Sequence, residues 1–151
     1  MITLYRFAHE KYKDDLSGEG ARLYGARWNS KGYPVVYTST TISLSLLELF
    51  IHKASYDEIV SNFLITIEVN IEIEIPEIKQ SKLKAGWIND ESNTRWMGDE
   101  FLKSRSSLLL KVPSAIIPEE TNVLINPKHP DFKKAKIKTS RAFEFDARLF
   151  K

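Results

Sequence analysis

Residues 20–48 read GARLYGARWNSKGYPVVYTSTTISLSLLE, and the placement of Arg27, Tyr37 and Glu48 in one short supersecondary unit organises the rest of the chain. Arg27-Trp28-Asn29 reads as the end of a short strand. Ser30 to Pro34 is a turn in which Gly32 can supply a positive φ and Pro34 restricts the residue before it. Val35 to Ser39 forms the next strand. Side chains alternate on a strand, so Arg27 and Asn29 share one face, Trp28 takes the other, and Tyr37 and Ser39 share a face.

After that strand Thr40 or Thr41 can cap a helix predicted over Ile42 to Ala54. At about 100° per residue, Leu44, Leu47, Phe50, Ile51 and Ala54 fall on one apolar arc, while Ser45, Glu48 and His52 form a narrow polar stripe. Glu48 stands at the border of the arc. A carboxylate there is either a solvated edge or a group aimed into a cleft between the helix and the strands.

Outward from this unit, Ile2 to Phe7 reads as the first strand, with Arg6 on the side of Ile2 and Leu4. An arginine on a half-buried strand seeks an anion, either a ligand or an internal acid. His9 to Gly25 is a loop rich in Asp, Gly and Lys whose glycine spacing is not a dinucleotide fingerprint. Leu64 to Ile75 alternates regularly and predicts one long strand, with Glu68, Glu72 and Glu74 as a solvated row that discourages edge pairing. Lys79 to Gly98 carries Trp87 and Trp96, both expected to pack on the sheet, and Gly98 to Leu102 adds a helical turn or two. Ser107 to Val112, Ala115 to Ile117, Asn122 to Ile125 and Phe143 to Phe145 read as short strands. Prolines stiffen the loop from Asn126 to Asp131. Many short strands around few helices, with no βαβ repeat, give an α+β fold with a compact mixed or antiparallel sheet, in a single domain over residues 1–151.

The chain has 151 residues, no cysteine and a net charge of +2. This length is enough for a sizeable core without disulfides, and the composition suits a reducing, cytoplasmic setting. No window has the length and apolarity of a membrane span, and the charge is too small to argue nucleic-acid binding. Lys133, Lys134, Lys136, Lys138 and Arg141 concentrate near the C-terminus; such a run is a solvated face or a contact for phosphate or an acidic partner. His9, His52 and His129 share no acidic cluster, so no metal site is expected. There is no P-loop, GxSxG elbow or defensible Ser-His-Asp set. What remains is an arginine, an aromatic ring and a carboxylate, which in a globular protein are ordinarily a surface charge, a core ring and a helix-face acid. The family resemblance that these segments carry implies instead that they cleave a nicotinamide glycosidic bond. The leaving group departs neutral, so the barrier lies in the positive charge developing on the ribose. A fixed carboxylate stabilises that charge, a guanidinium grips the pyrophosphate and a tyrosine face stacks on nicotinamide.

The run GEGARLYGARWNSKGYPVVYTSTTISLSLLELFIH resembles the signature of RES-domain proteins, the toxin half of RES–Xre toxin–antitoxin pairs. LLLKVPSAIIPEETNVLINPKHPDF and FEFDARLF resemble that family's second and third motifs. The resemblance implies a fold like that of ADP-ribosyltransferases, NAD+ as substrate with no metal, an Xre-type helix-turn-helix antitoxin as partner, and no direct contact with DNA or membrane; a homo-oligomer is compatible with the sequence. It implies cleavage of NAD+ by water or phosphate, with protein ADP-ribosylation or noncatalytic NAD binding as alternatives. It assigns catalysis to Arg27, Tyr37, Glu48 and Ser114, with Ser106, Ser107 and Ser140 as rivals for the serine. Arg6, Arg27, Tyr37, Asn126, His129 and Arg141 are the expected NAD+ contacts.

Overall fold

The computed structural model describes residues 1–53 and 55–151. In chain order its main elements are strand β1 (Ile2–His9), helix α1 (Glu19–Tyr24), β2 (Val36–Ser39), α2 (Ile42–His52), α3 (Tyr56–Val60), β3 (Asn62–Val69), α4 (Ser92–Ser104), β4 (Leu109–Pro113), β5 (Thr121–Ile125) and β6 (Ala135–Ala142). The strands form one six-stranded sheet in the order β4-β5-β2-β1-β3-β6, with every neighbouring pair antiparallel. This is the α+β class expected from the sequence.

Alternation along β3 builds the first core. Ile65, Ile67 and Val69 are fully buried. They join Leu4 and Ala8 of β1, Val36 of β2, and Val123 and Ile125 of β5 on one face of the sheet. Each such aliphatic side chain contributes about 1.5–3 kcal/mol on burial. The strand stops at Val69 rather than running to Ile75. The amide of Ile71 bonds back to the Val69 carbonyl and that of Asn70 to Lys134, which turns the chain. Ile71 and Ile75 still pack on this core, while Ile73 is 72% exposed.

The opposite face carries the second core, made of Trp28, Val35, Phe101, Leu102, Leu110, Val112 and Leu124. Helix α4 covers it through Thr94, Gly98, Phe101 and Leu102, which are buried at i, i+4, i+7 and i+8. This helix is much longer than the turn or two expected around Gly98. Trp87 is buried as expected, but Trp96 points away and is 62% exposed.

Three further sequence expectations are corrected. Arg27 to Asn29 is a tight turn closed by reciprocal backbone bonds between Ala26 and Asn29, and not a strand end. Residues 115–117 form a turn held by the Ser114 hydroxyl. Phe143 and Phe145 lie beyond the last strand and pack their rings against Phe7 at 5.1 and 5.8 Å. The basic run falls on the outer strand β6 and the turn before it, exposed at Lys136, Lys138 and Arg141. Lysines there obstruct pairing with another strand.

Helix α2 is capped by Thr41, whose hydroxyl accepts from the Leu44 amide at 3.1 Å. It spans Ile42–His52, and Ala54, expected to be its last residue, lies outside the described residues. Its inward face is Leu44, Ser45 and Leu49, whereas Leu47 and Ile51 of the expected apolar arc are 41% and 65% exposed. The helix is thus turned by roughly 130° from the expected orientation, which brings the Ser45–Glu48 stripe to the sheet.

A Cβ at Gly98 would fall inside the carbonyl group of Trp28, with backbone on both sides of the clash. Alanine at an ordinary helix-interior glycine stabilises by about 0.5–1 kcal/mol. Gly98→Ala should do the reverse and destabilise by about 3 kcal/mol or more, because neither backbone can yield cheaply. Chemical denaturation of the variant beside the unmodified protein measures this, and a gain in stability would contradict the close approach.

Candidate functional site

Tyr37 and Ser39 project from β2 onto the face covered by α2 and α4, about 7 Å apart along the strand. Each anchors one half of a polar arrangement. The Tyr37 hydroxyl donates to Asn29 Oδ1 at 2.7 Å and accepts from the Trp28 amide at 3.0 Å. Burial, opposed by the Trp28 hydrogen bond and reinforced by the charges of Glu91 and Asp99, pushes the phenol far above its ordinary pKa. It therefore remains a neutral donor. Asn29 is fully buried, and its amide nitrogen donates to the carbonyls of Ala21 and Tyr33 at 2.8 and 3.1 Å. This side chain closes the loop that leads into β2.

Arg27 stands beside this pair with its guanidinium already engaged. Its two terminal nitrogens donate to the carbonyls of Trp87 and Ile88, each at 2.9 Å. Glu91 lies 3.9 Å away, and the cation sits 5.6 Å from the centre of the Trp87 ring. A cleft of about 350 Å³ runs along the segment that Arg27 holds, lined by Leu83, Lys84, Trp87, Ile88 and neighbouring residues. Helix α4 fixes the arginine's own backbone, since Thr94 Oγ1 donates to the Arg27 carbonyl at 2.7 Å. Asp99 of the same helix accepts from the Ser30 amide at 2.8 Å.

The second half of the arrangement centres on Glu48. Its Oε1 accepts from the Ser114 hydroxyl at 3.1 Å and from Asn122 Nδ2 at 2.8 Å. Ser39, facing Asn122 across the β2–β5 pair, donates to Asn122 Oδ1 at 2.8 Å. Ser114 is fully buried at the end of β4, where its oxygen also accepts the amides of Ile116 and Ile117. Among the described residues, no donor reaches Oε2 and no cation pairs with the carboxylate. The arrangement can hold a negative charge, fixed by neutral donors, against a positive centre.

Of the residues expected from sequence, the structure brings Glu48 and Ser114 into contact and sets Tyr37 on the same face of the sheet. Ser114 is separated from its rivals by its partner, because Ser106 bonds Ser104, Ser107 bonds the Leu109 carbonyl and Ser140 bonds the Lys13 carbonyl.

Four expected NAD+ contacts are not brought to this group. Arg6 alternates with Tyr5, and Tyr5 pairs with Ser39, so Arg6 projects to the opposite side of the sheet. Desolvation there lowers its pKa, and the charge of Asp15 opposes the shift. Asn126 is buried with its nitrogen on the Leu102 carbonyl and its oxygen on the Lys128 amide, so it stitches β5 to α4. His129 Nδ1 accepts from the Asp131 amide and shapes a turn. Arg141 lies on β6, three strands from β2, with its guanidinium over the Phe143 ring.

Sequence reading missed Asn122, Ser39 and Asn29. Ser39 was visible as the face-mate of Tyr37, but Asn122 acquires its place only through the register of β2 on β5. Among the described residues, no group of three or more His, Cys, Asp or Glu side chains could hold a metal ion. No helix among them is long and apolar enough to cross a membrane.

Comparison with known proteins follows the same residues. The profile of the RES domain matches residues 3–146. A Prs ADP-ribosylating toxin of Sphingobium sp. (strain YBL2) is 37% identical over 142 residues, covering 91% of this chain and 88% of that protein. A Toxin Res of Photorhabdus laumondii is 39% identical over 156 residues, covering 99% and 98%. Among solved structures, the crystal structure of the M. tuberculosis MbcT–MbcA toxin–antitoxin complex matches with a TM-score of 0.76 at 20% identity. The match covers 99% of this chain and 86% of that one, a likeness of fold. The extent of the profile match and the identity to these relatives place the chain in the RES domain family.

Proposed function

We propose that this chain is the toxin of a toxin–antitoxin pair and that it cleaves NAD+ at the nicotinamide–ribose bond, acting in the cytoplasm until an Xre-type antitoxin restrains it. The observation that carries the reading is the Glu48 carboxylate, held through one oxygen by Ser114 and Asn122 while its other oxygen is uncommitted. A group so fixed, with neutral donors only, keeps its charge available for the cation that develops on the ribose as the glycosidic bond breaks. The bonding pair leaves with nicotinamide, which becomes neutral and needs no acid. Water or inorganic phosphate then adds to the ribosyl carbon and loses its proton to solvent.

In this reading Tyr37 sets the wall beside nicotinamide, and its buried hydroxyl holds the Trp28–Asn29 turn that frames it. Arg27 presents its remaining N–H groups to the pyrophosphate while the committed ones hold Trp87 and Ile88. Ser114 orients Glu48. A second reading, transfer of ADP-ribose to a protein, uses the same bond cleavage with a side chain as acceptor. The Sphingobium relative, named an ADP-ribosylating toxin, favours it.

Nicotinamide release from NAD+ by purified, antitoxin-free protein tests both. Release without an added protein acceptor supports hydrolysis, and stimulation by inorganic phosphate supports phosphorolysis. Release or label transfer seen only with lysate protein supports the transferase. Binding of NAD+ without any turnover would leave only a binding module. Glu48→Gln should retain NAD+ binding and lose about a hundredfold to a thousandfold in kcat. Equal loss of binding and rate would contradict the assignment. Arg27→Lys cannot donate to two carbonyls in a fixed fork, so it should both raise KM and destabilise the fold by about 1–3 kcal/mol. Steady-state kinetics and thermal melting measure the two effects.

A further inference from the structure

We propose that Asn122 is a positioning residue for Glu48, with Ser39 supporting the far end of its amide; this rests on the reading of Glu48 as the group that stabilises the ribosyl cation. An asparagine amide can be turned over at almost no cost in shape, exchanging its donor end for its acceptor end. Glu48, which can only accept, selects the donor end, and Ser39 supports the other. Ser39, 3% exposed, donates its hydroxyl to Asn122 Oδ1 at 2.8 Å, while Nδ2 donates to Glu48 Oε1, also at 2.8 Å. The turned amide would set its oxygen against the carboxylate.

Ser114 is constrained in the same manner. Its oxygen accepts the Ile116 and Ile117 amides at 3.1 and 3.2 Å, and its proton is directed to Oε1. Two donors on one oxygen stop the carboxylate from rotating about its terminal bond. Oε2 is thereby held as the oxygen presented to substrate. Among the described residues the Asn122 amide bonds only Glu48 and Ser39, so its effect on catalysis passes through the orientation of Glu48.

The test compares Asn122→Leu, which keeps the shape without the donor, with Asn122→Asp, which keeps the shape and substitutes an acceptor. Asn122→Leu should lower kcat for nicotinamide release about tenfold to a hundredfold with little change in KM. Asn122→Asp should be worse than Asn122→Leu, because it opposes Glu48 with a second carboxylate. A packing role predicts the reverse order, with Asn122→Asp the milder. Ser39→Ala should lower kcat by less than either, and Ser39→Thr, which restores a hydroxyl, should recover part of that loss.

Melting temperatures of Asn122→Leu, Glu48→Ala and the double variant supply a readout independent of turnover. The two changes should fail to add by about 2 °C or more. Additive melting shifts, or an Asn122→Asp variant as active as the unmodified protein, would overturn the proposal. Should the unmodified protein release no nicotinamide with or without lysate protein, the NAD+ cleavage reading falls, and the melting comparison alone decides whether Asn122 holds Glu48.

Discussion

The close approach of two backbones governs how this site is assembled. Gly98 of α4 lies so near the Trp28 carbonyl that no side-chain carbon fits between them. One turn earlier Thr94 grips the Arg27 carbonyl, and one residue later Asp99 takes the Ser30 amide. Residues 27–30 are therefore held at three points along one helix, and the turn they form meets the Tyr37 hydroxyl through both Trp28 and Asn29. Tyr37 belongs to β2, whose register against β5 sets Ser39 opposite Asn122 and hence Asn122 against Glu48. Helix α4 and the Glu48 carboxylate are thus joined by a continuous series of contacts.

The charged groups are kept apart by the same scaffold. Arg27 is satisfied by two carbonyls and approached by Glu91, whereas Glu48 is satisfied by a hydroxyl and an amide. Had Arg27 paired with Glu48, each would have cancelled the other's field, and a ligand would have had to break the pair before using either. Neutral donors instead stabilise the carboxylate without neutralising it. That separation is what makes the proposed chemistry on a cationic nicotinamide ribose physically reasonable.

Much of the fold was legible because it rests on alternation. Ile65, Ile67 and Val69 have a period of two and are buried as that period requires. The candidate site was legible in its types of residue more than in its contacts. Arg27, Tyr37, Glu48 and Ser114 could be named from the resemblance, but Asn122 could not, because an asparagine on a strand gains meaning only from the register of its neighbour. Helix α4 was mostly hidden for a different reason. Its buried stripe includes a threonine and a glycine, and its tryptophan at 96 faces solvent, so apolar periodicity reports the wrong face. Arg6 marks the limit of the same alternation: it gives the face shared with Ile2 and Leu4, but only the pairing of β1 with β2 shows that this face lies opposite Tyr37.

Helix α2 shows why such failures concentrate at the site. Hydrophobicity alone would turn Leu44, Leu47 and Ile51 inward, and burying Leu47 and Ile51 more fully would add up to about 1.5–3 kcal/mol each. The helix instead directs Ser45 and Glu48 to the sheet and leaves those two aliphatic side chains substantially exposed. Ser39, Asn122 and Ser114 supply the compensation: they form a polar patch on β2, β5 and the end of β4 that an apolar helix face would leave unsatisfied. The apolar pattern of α2 and the polar pattern of the strands therefore compete, and the strands decide the orientation. Buried hydroxyl and amide groups without partners cost about 1–3 kcal/mol each, enough to outweigh the gain from burying two more aliphatic residues. A carboxylate at the border of an apolar arc, opposite strands that carry Ser and Asn on one face, is the local inconsistency by which this site could have been found.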